Sequence, residues 1–320
     1  MMDEEELYSS LVLPWEAEDS SSLSIQGADD LDAALLAADL DWEADSRPLL
    51  YRDPDDKKNL IEVETHKGVV RDDTLDLIGV VGVNYEIVQN REALSLLRGI
   101  AGRGKDLTFN RGGTFNNGSV VWVMLSIDDF LIEPVPGDVI VPYIVISNSH
   151  DGTQGVRATF VSHRHAGLGM HHVGKGLSFR HTKNVVDRME RGENVLAAGM
   201  DAFERFQDFA MDLAQRPMLD EDWGIFLDEF VPPPDEDNLR PGRRNKARDT
   251  LTTLFVSGPG TEIPGVKHTR WAALSAVSTW LTHFASSRGG EGALNSLWFK
   301  TNANKLEYAG QLLRQMKHKR

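Results

Sequence analysis

The chain has 320 residues, more than a usual single domain, and no cysteine, which excludes disulfides and thiolate chemistry. Its apolar fraction of 41% supports a core. No stretch approaches the roughly 20 apolar residues of a membrane span, and the acidic start MMDEEELYSS is the opposite of a basic secretory signal, so a cytoplasmic protein that needs no membrane is expected. The net charge of −15 divides unevenly: residues 1–45 carry fourteen acids and no Lys or Arg, a balance of −14, and the other 275 carry 35 acids and 34 bases, a balance of −1.

In chain order, residues 1–27 contain SSSLS and scattered acids without periodicity and read as a flexible acidic arm. Such an arm would occupy the body's own basic surface or recruit a basic protein partner. ADDLDAALLAADLDW (28–42) predicts a short helix capped by Asp29 or Asp30, with Leu31, Leu35 and Leu36 on one side. SRPLLYRDPDDKKN reads as a strand and a turn, and LIEVETHKGVVRDDT as a hairpin turning at His66-Lys67-Gly68. LIGVVGVNYEIV (77–88) is a β-branched strand. REALSLLRGIAG (91–102) is an inserted helix with Asn90 as its N-cap and Gly102 as its stop. LTFNRGGTFNNGSVVWVMLSI gives two strands around a Gly/Asn turn. DVIVPYIVISNS (138–149) is a third strand, which Pro142 would confine to an edge or a bulge, and VRATFVSHRH (156–165) is a fourth. Beyond Asn184 the spacing becomes helical as far as Pro217. A polar connector follows at 232–249, and TRWAALSAVSTWLTHFASS and NANKLEYAGQLLRQMKHKR supply two more helices. The fold class is therefore α+β: an antiparallel β-sheet core with an inserted helix, then a helical C-terminal region. The boundaries fall at 1–27 for the arm, 28–191 for the core and 192–320 for the helical part.

NSHDG (148–152) lies between the last two strands. Asn148 and Asp151 are residues whose side chains bond turn backbone, and Gly152 accepts a positive φ. His150 is the residue the turn does not require, which makes it a candidate ligand contact. No Gly-x-Ser-x-Gly elbow and no cysteine nucleophile occur, so no catalytic residue is assigned. His163, His165, His171 and His172, with Asp151, raise the question of a divalent metal. None of the standard ligand spacings is present, and no metal or cofactor is assigned.

The basic character of this region says more. Between Val156 and Arg191, seven cations (Arg157, Arg164, Lys175, Arg180, Lys183, Arg188, Arg191) face two acids, Asp187 and Glu190. Strand alternation puts Arg157, Thr159, Val161, His163 and His165 on one face. The glycines of GLGMHHVGKG would let backbone N–H groups approach a phosphate. The candidate nucleic-acid contacts are thus Arg157, Arg164, Lys175, Arg180, Lys183, His150, His163 and His165. Against them stands a solvated basic face with no ligand. LRPGRRNKAR (239–248) and the last 21 residues are further basic clusters, and Phe109, Phe115 and Trp122 either stack on bases or pack in the core.

A series of phrases in order gives the sequence a family resemblance: DLDWEADSRPL, GVVRDDT, LIGVVGVNYEIVQNREA, GTFNNGSVVWVML, PGDVIVPYIVISNSHDGTQGVRATFVSHR, RHTKNV, WAALSAVSTWLTH and KTNANKLEYAGQLL. They span about residue 30 to residue 315, and together they resemble the phage/plasmid-like family that carries domain of unknown function 932. The resemblance implies phage, prophage or plasmid DNA as the setting and supplies no activity. It also has a gap. The family's Arg-x-Val-Cys-x-Asn-Thr phrase after the turn is replaced here by RATFVSHRHAGLG, so nothing tied to that phrase transfers. The expectation is a nucleic-acid-binding protein, with single-stranded DNA favoured and annealing or recombination as its role, and self-association as an option. The alternatives are a non-catalytic accessory protein that acts on a protein partner and a metal-dependent nuclease.

Overall fold

The computed structural model describes residues 11–17, 20–97, 107–128, 130–190, 195–234, 241–285 and 289–316. Its centre is built from the runs VVWVMLSI, IVPYIVISNS and VRATFVSHR, which are too continuously apolar to leave one face in water. They form β6 (Val120–Ile127), β7 (Ile140–Ser149) and β8 (Val156–Arg164), almost wholly buried. The antiparallel ladder runs β1 (Ser22–Ser24), β5 (Leu107–Phe115), β6, β7, β8 and β10 (Leu177–Phe179). The short β9 (Met170–His172) shares the outer edge of β8 with β10: β9 lies against Val161–His163 and β10 against Val156–Ala158. Asn116, Asn117 and Gly118, all at positive φ, make the tight β5–β6 turn that the sequence indicates.

A second antiparallel sheet, β2 (Ala44–Arg52), β3 (Leu60–Arg71) and β4 (Leu77–Gly82), stands beside the first. Here the expected hairpin at His66-Lys67-Gly68 is corrected, because β3 runs straight through these residues and pairs on both sides. Gly68 marks crowding instead of a turn, since a Cβ there would stand 3.0 Å from Leu77 Cδ1 and 3.3 Å from Leu49 Cδ2. The actual reversals use Asp53–Asn59 and the Arg71–Asp76 loop, where Leu75 takes φ 63. Pro142 is a second correction. It lies on an interior strand opposite Ser162, one residue beyond Tyr143, the last residue that pairs with β6. Its missing N–H therefore falls where the β6 ladder has already ended.

The described part of the N-terminal segment is folded, contrary to a flexible arm over the whole of 1–27. β1 pairs with β5 so closely that a Cβ at Gly113 would meet the Ser21 carbonyl oxygen at 1.9 Å. Trp15 is buried, its ring 6.1 Å from Tyr143 and 5.7 Å from His163. Residues 1–10, 18 and 19 of the expected arm lie outside the described residues. Helix α1 (Leu31–Ala37) is capped as expected by the Asp30 side chain, which accepts from Ala33 N at 2.9 Å. It buries Ala34 and Leu35 and leaves Leu36 in water. Helix α2 (Asn90–Leu94) is capped by Gln89 in a capping box with Glu92, not by Asn90, and the expected stop at Gly102 lies outside the described residues.

The C-terminal third is helical: α3 (Val185–Glu190), α4 (Val195–Ala214), α5 (Asp220–Phe230), α6 (Pro241–Ser257), α7 (Arg270–His283), α8 (Gly289–Phe299) and α9 (Thr301–Gln315). The connector expected over 232–249 is shortened, because α6 begins at Pro241, a residue suited to a first helical turn. Helix α7 is buried almost all round, and its small side chains admit the β8–β9 loop: a Cβ at Gly169 would stand 2.5 Å from Ser278 Oγ. No helix among the described residues is long and apolar enough to cross a membrane.

Candidate nucleic-acid interface

The NSHDG segment is first a turn. The Asp151 carboxylate accepts from Ser149 Oγ at 2.7 Å and Thr153 N at 2.9 Å, and Gly152 sits at φ +75. His150 is fully buried, because β4 and α2 close over the turn. Gly79 of β4 lies so near that a Cβ would stand 2.2 Å from the His150 carbonyl oxygen. Asn90 Nδ2 donates to the Leu40 and Trp42 carbonyls, so its Oδ1 is the acceptor facing His150 Nε2 at 2.9 Å, and that nitrogen carries the proton. Burial pushes the imidazole down to about 3. Asn148 Nδ2 donates to the Val88 carbonyl at 2.8 Å. His150 therefore joins the turn to α2 and is withdrawn from the ligand contacts.

Arg164 is withdrawn as well. It is 1% exposed, and its Nε donates to Asp138 Oδ1 at 2.6 Å. Its other nitrogens bond the Pro259 and Gly260 carbonyls, and the Trp271 Nε1–H donates to the second Asp138 oxygen at 2.7 Å. This is a satisfied buried charge that ties the sheet to α7. His163 is buried under Trp15, and burial holds it near 3. His165 is exposed but lies at the other end of β8 from Arg157, about 25 Å away at strand rise. Arg180 and Lys183 are exposed beyond the end of β10, where the Arg180 carbonyl accepts from Arg188. The expected single face of cations along β8 is thus dispersed. Gly167, Gly169 and Gly176 are used to pack the loop against Arg164, α7 and β8, leaving Gly174 as the exposed positive-φ glycine of the β9–β10 loop. Phe115 and Trp122 are core, stacked on each other, with Trp298 set edge-on to Trp122 and tilted to Phe115.

Two of the expected cations do meet, in a cleft the sequence did not suggest. Two adjoining cavities, of about 320 Å³ and about 260 Å³, share His172, Lys175 and Glu307. The first is walled by Phe206, Phe209, Leu274 and Leu306, with Arg205, Gln311 and Arg314 also in its lining. The second is lined by Arg157, Thr159, Ser178, Phe299 and Asn304. Arg157, Lys175, Arg205 and Arg314 therefore set four positive charges against the one carboxylate of Glu307. Arg205 is paired with Asp201. Among the described residues no carboxylate lies within ion-pair distance of Arg157, Lys175 or Arg314. The Arg157 guanidinium lies 6.0 Å from the Phe299 ring centre, its Nε is buried without a partner, and burial lowers its proton affinity. Burial likewise lowers His172. Arg205 was missed because it lies on a helix far from the basic stretch and no local pattern marks it, whereas Arg314 belongs to the basic cluster of the last 21 residues.

The ligand set that would serve a nuclease is not assembled. Asp151 is engaged in its turn, and the His163 ring lies between Trp15, at 5.7 Å, and His165, at 5.6 Å. Among the described residues no three His, Asp or Glu side chains are placed to share a metal ion.

A family model described as a domain of unknown function, DUF932, matches residues 77–299. No curated protein matches the chain, and no solved structure matches it.

Proposed function

The chain belongs to the DUF932 family, and we propose that it binds single-stranded nucleic acid in the cleft between the β9–β10 edge and helices α4 and α9. The observation that carries this reading is the convergence of Arg157, Lys175, Arg205 and Arg314 from β8, a loop and two helices onto one channel with aromatic walls. Cations that track a backbone beside rings for stacking are what sequence-tolerant strand binding requires. In the finer form of the proposal the protein works in the cytoplasm, in a phage or mobile-element setting, and holds a strand during annealing or recombination. The test is fluorescence anisotropy with a labelled single-stranded oligonucleotide at low salt. Lys175→Glu and Arg314→Glu are exposed changes that leave the core alone, and each is expected to weaken binding at least tenfold. Absence of binding by the unaltered protein contradicts the reading.

A second reading, an accessory protein with a protein partner, is favoured by one observation. The β2–β3–β4 sheet leaves four large apolar side chains in water, Leu50 52%, Leu60 53%, Leu77 58% and Val80 49% exposed. Paired Leu50→Glu and Leu77→Glu changes that abolish capture of a cellular protein, with oligonucleotide binding absent, would select this reading.

A further inference from the structure

We infer that the apolar compartment of the cleft is a pocket for one nucleobase, with its sugar and phosphate lying across the basic compartment; this deepens the proposal of nucleic-acid binding and rests on it. Phe206, Phe209, Leu274 and Leu306 offer ring and aliphatic faces in the first compartment, whose lining also carries Arg205 and Arg314; Arg157 and Asn304 offer donors next door, and Lys175 borders both. At about 320 Å³ the apolar compartment is at the small end of ligand sites, the size for a single base with part of its sugar.

The second observation is His171, which is part of the lining of this compartment. Its ring is 2% exposed and stacks on Trp271 with centres 5.4 Å apart and planes at 21°. Phe206 lies 5.3 Å away. Neither ring nitrogen has a hydrogen-bond partner. Buried polar atoms are nearly always paired, so an imidazole with both nitrogens idle beside a cavity points to a partner from outside, which reaches them once the residues around the closed ring shift. Burial holds the ring neutral, near 3. A neutral imidazole presents one N–H and one lone pair on diverging axes, so it can meet a base with one of them, as donor or as acceptor. Gln311, exposed and part of the same lining, adds an amide with the same dual capacity.

The chemistry is shared by a base within a strand and by a free nucleotide, and three probes separate them: a single-stranded oligonucleotide, the same length of abasic sugar–phosphate chain, and the nucleoside 5′-monophosphates. The unaltered protein is expected to bind the base-bearing chain at least tenfold more tightly than the abasic chain. Gln311→Trp, which plugs the compartment from an exposed position, is expected to erase that difference, and Lys175→Glu to weaken both chains. His171→Phe keeps ring size and removes both nitrogens. It is expected to lose most of the base-dependent gain while melting no lower than the unaltered protein, an outcome a purely structural histidine would not produce. Equal affinity for the two chains overturns the pocket and leaves strand binding standing. Binding of neither chain, with monophosphates bound, keeps the pocket for a free nucleotide and removes the strand. Binding of no probe overturns both.

Discussion

Arg164 and the three histidines His150, His163 and His171 are buried. The Arg164–Asp138 pair is buried and fully hydrogen-bonded, so removal of one member strands the other charge. Asp138→Leu is expected to cost roughly 3–5 kcal/mol in urea unfolding, and the double change Asp138→Leu with Arg164→Met to recover much of that loss. The histidines fix the sign of the acid response. All three are held near 3 in the folded protein, below the ordinary 6.5 of an unfolded chain. They are neutral when folded, and unfolding takes up protons between those values. Stability is therefore complete above pH 6.5 and declines as the pH falls towards 3, each histidine adding to the slope. Unfolding free energy measured at pH 7, 6, 5 and 4 is expected to show this decline, and His171→Phe to reduce its slope by one proton. At this scale the turn role of Asp151 and Gly152 was legible, because side-chain bonds to nearby backbone are local; the expected turn role of Asn148 is corrected, since it lies in β7 and its side chain donates to the distant Val88 carbonyl. The burial of His150 and Arg164 was not, since it depends on β4, Asn90 and the loop at Pro259–Gly260, far along the chain.

The elements divide by how much of their cause is local. The central strands were readable from continuous apolar runs, and α1 from its Asp30 cap. The glycine in His66-Lys67-Gly68 misled because a glycine serves close packing as well as a turn, and only the neighbours Leu49 and Leu77 decide which. Helix α5 carried a signal that was passed over: acids in its first turn, then Trp223, Phe226 and Leu227 at helical spacing. Helix α8 carried almost none. It opens on GGEG, poor helix formers, and is held from outside by Glu291, which accepts from Asn116 N at 2.6 Å and from Ser21 Oγ at 3.3 Å. The N-terminal segment is the largest revision, because Trp15, at the end of the short apolar run LVLPW, inserts against Tyr143 and His163. Trp15→Ala is expected to lower stability by roughly 3 kcal/mol in urea unfolding, which an unanchored arm would not do. Any truncation that tests an inhibitory role for the acidic segment has to stop short of Trp15.

At the scale of the whole molecule, the charge asymmetry was legible and the binding surface was not. A net charge of −15 argues against nucleic acid until the acids of residues 1–45 are set apart. In the sequence the cations follow one strand, yet that strand is the interior of a sheet covered on both faces. The cleft instead joins Arg157 to Arg314, residues separated by most of the C-terminal half, and only the docking of α4 and α9 on the β9–β10 edge brings them together. The most direct test of this account is the salt dependence of single-stranded oligonucleotide binding. Three to four cations on phosphates predict that log affinity falls against log salt with a slope of about −2 to −3, at roughly 0.7 for each contact. The double change Lys175→Glu with Arg314→Glu is expected to flatten that slope by about 1.4. A slope that the double change leaves intact, or no binding even at the lowest salt, would contradict it.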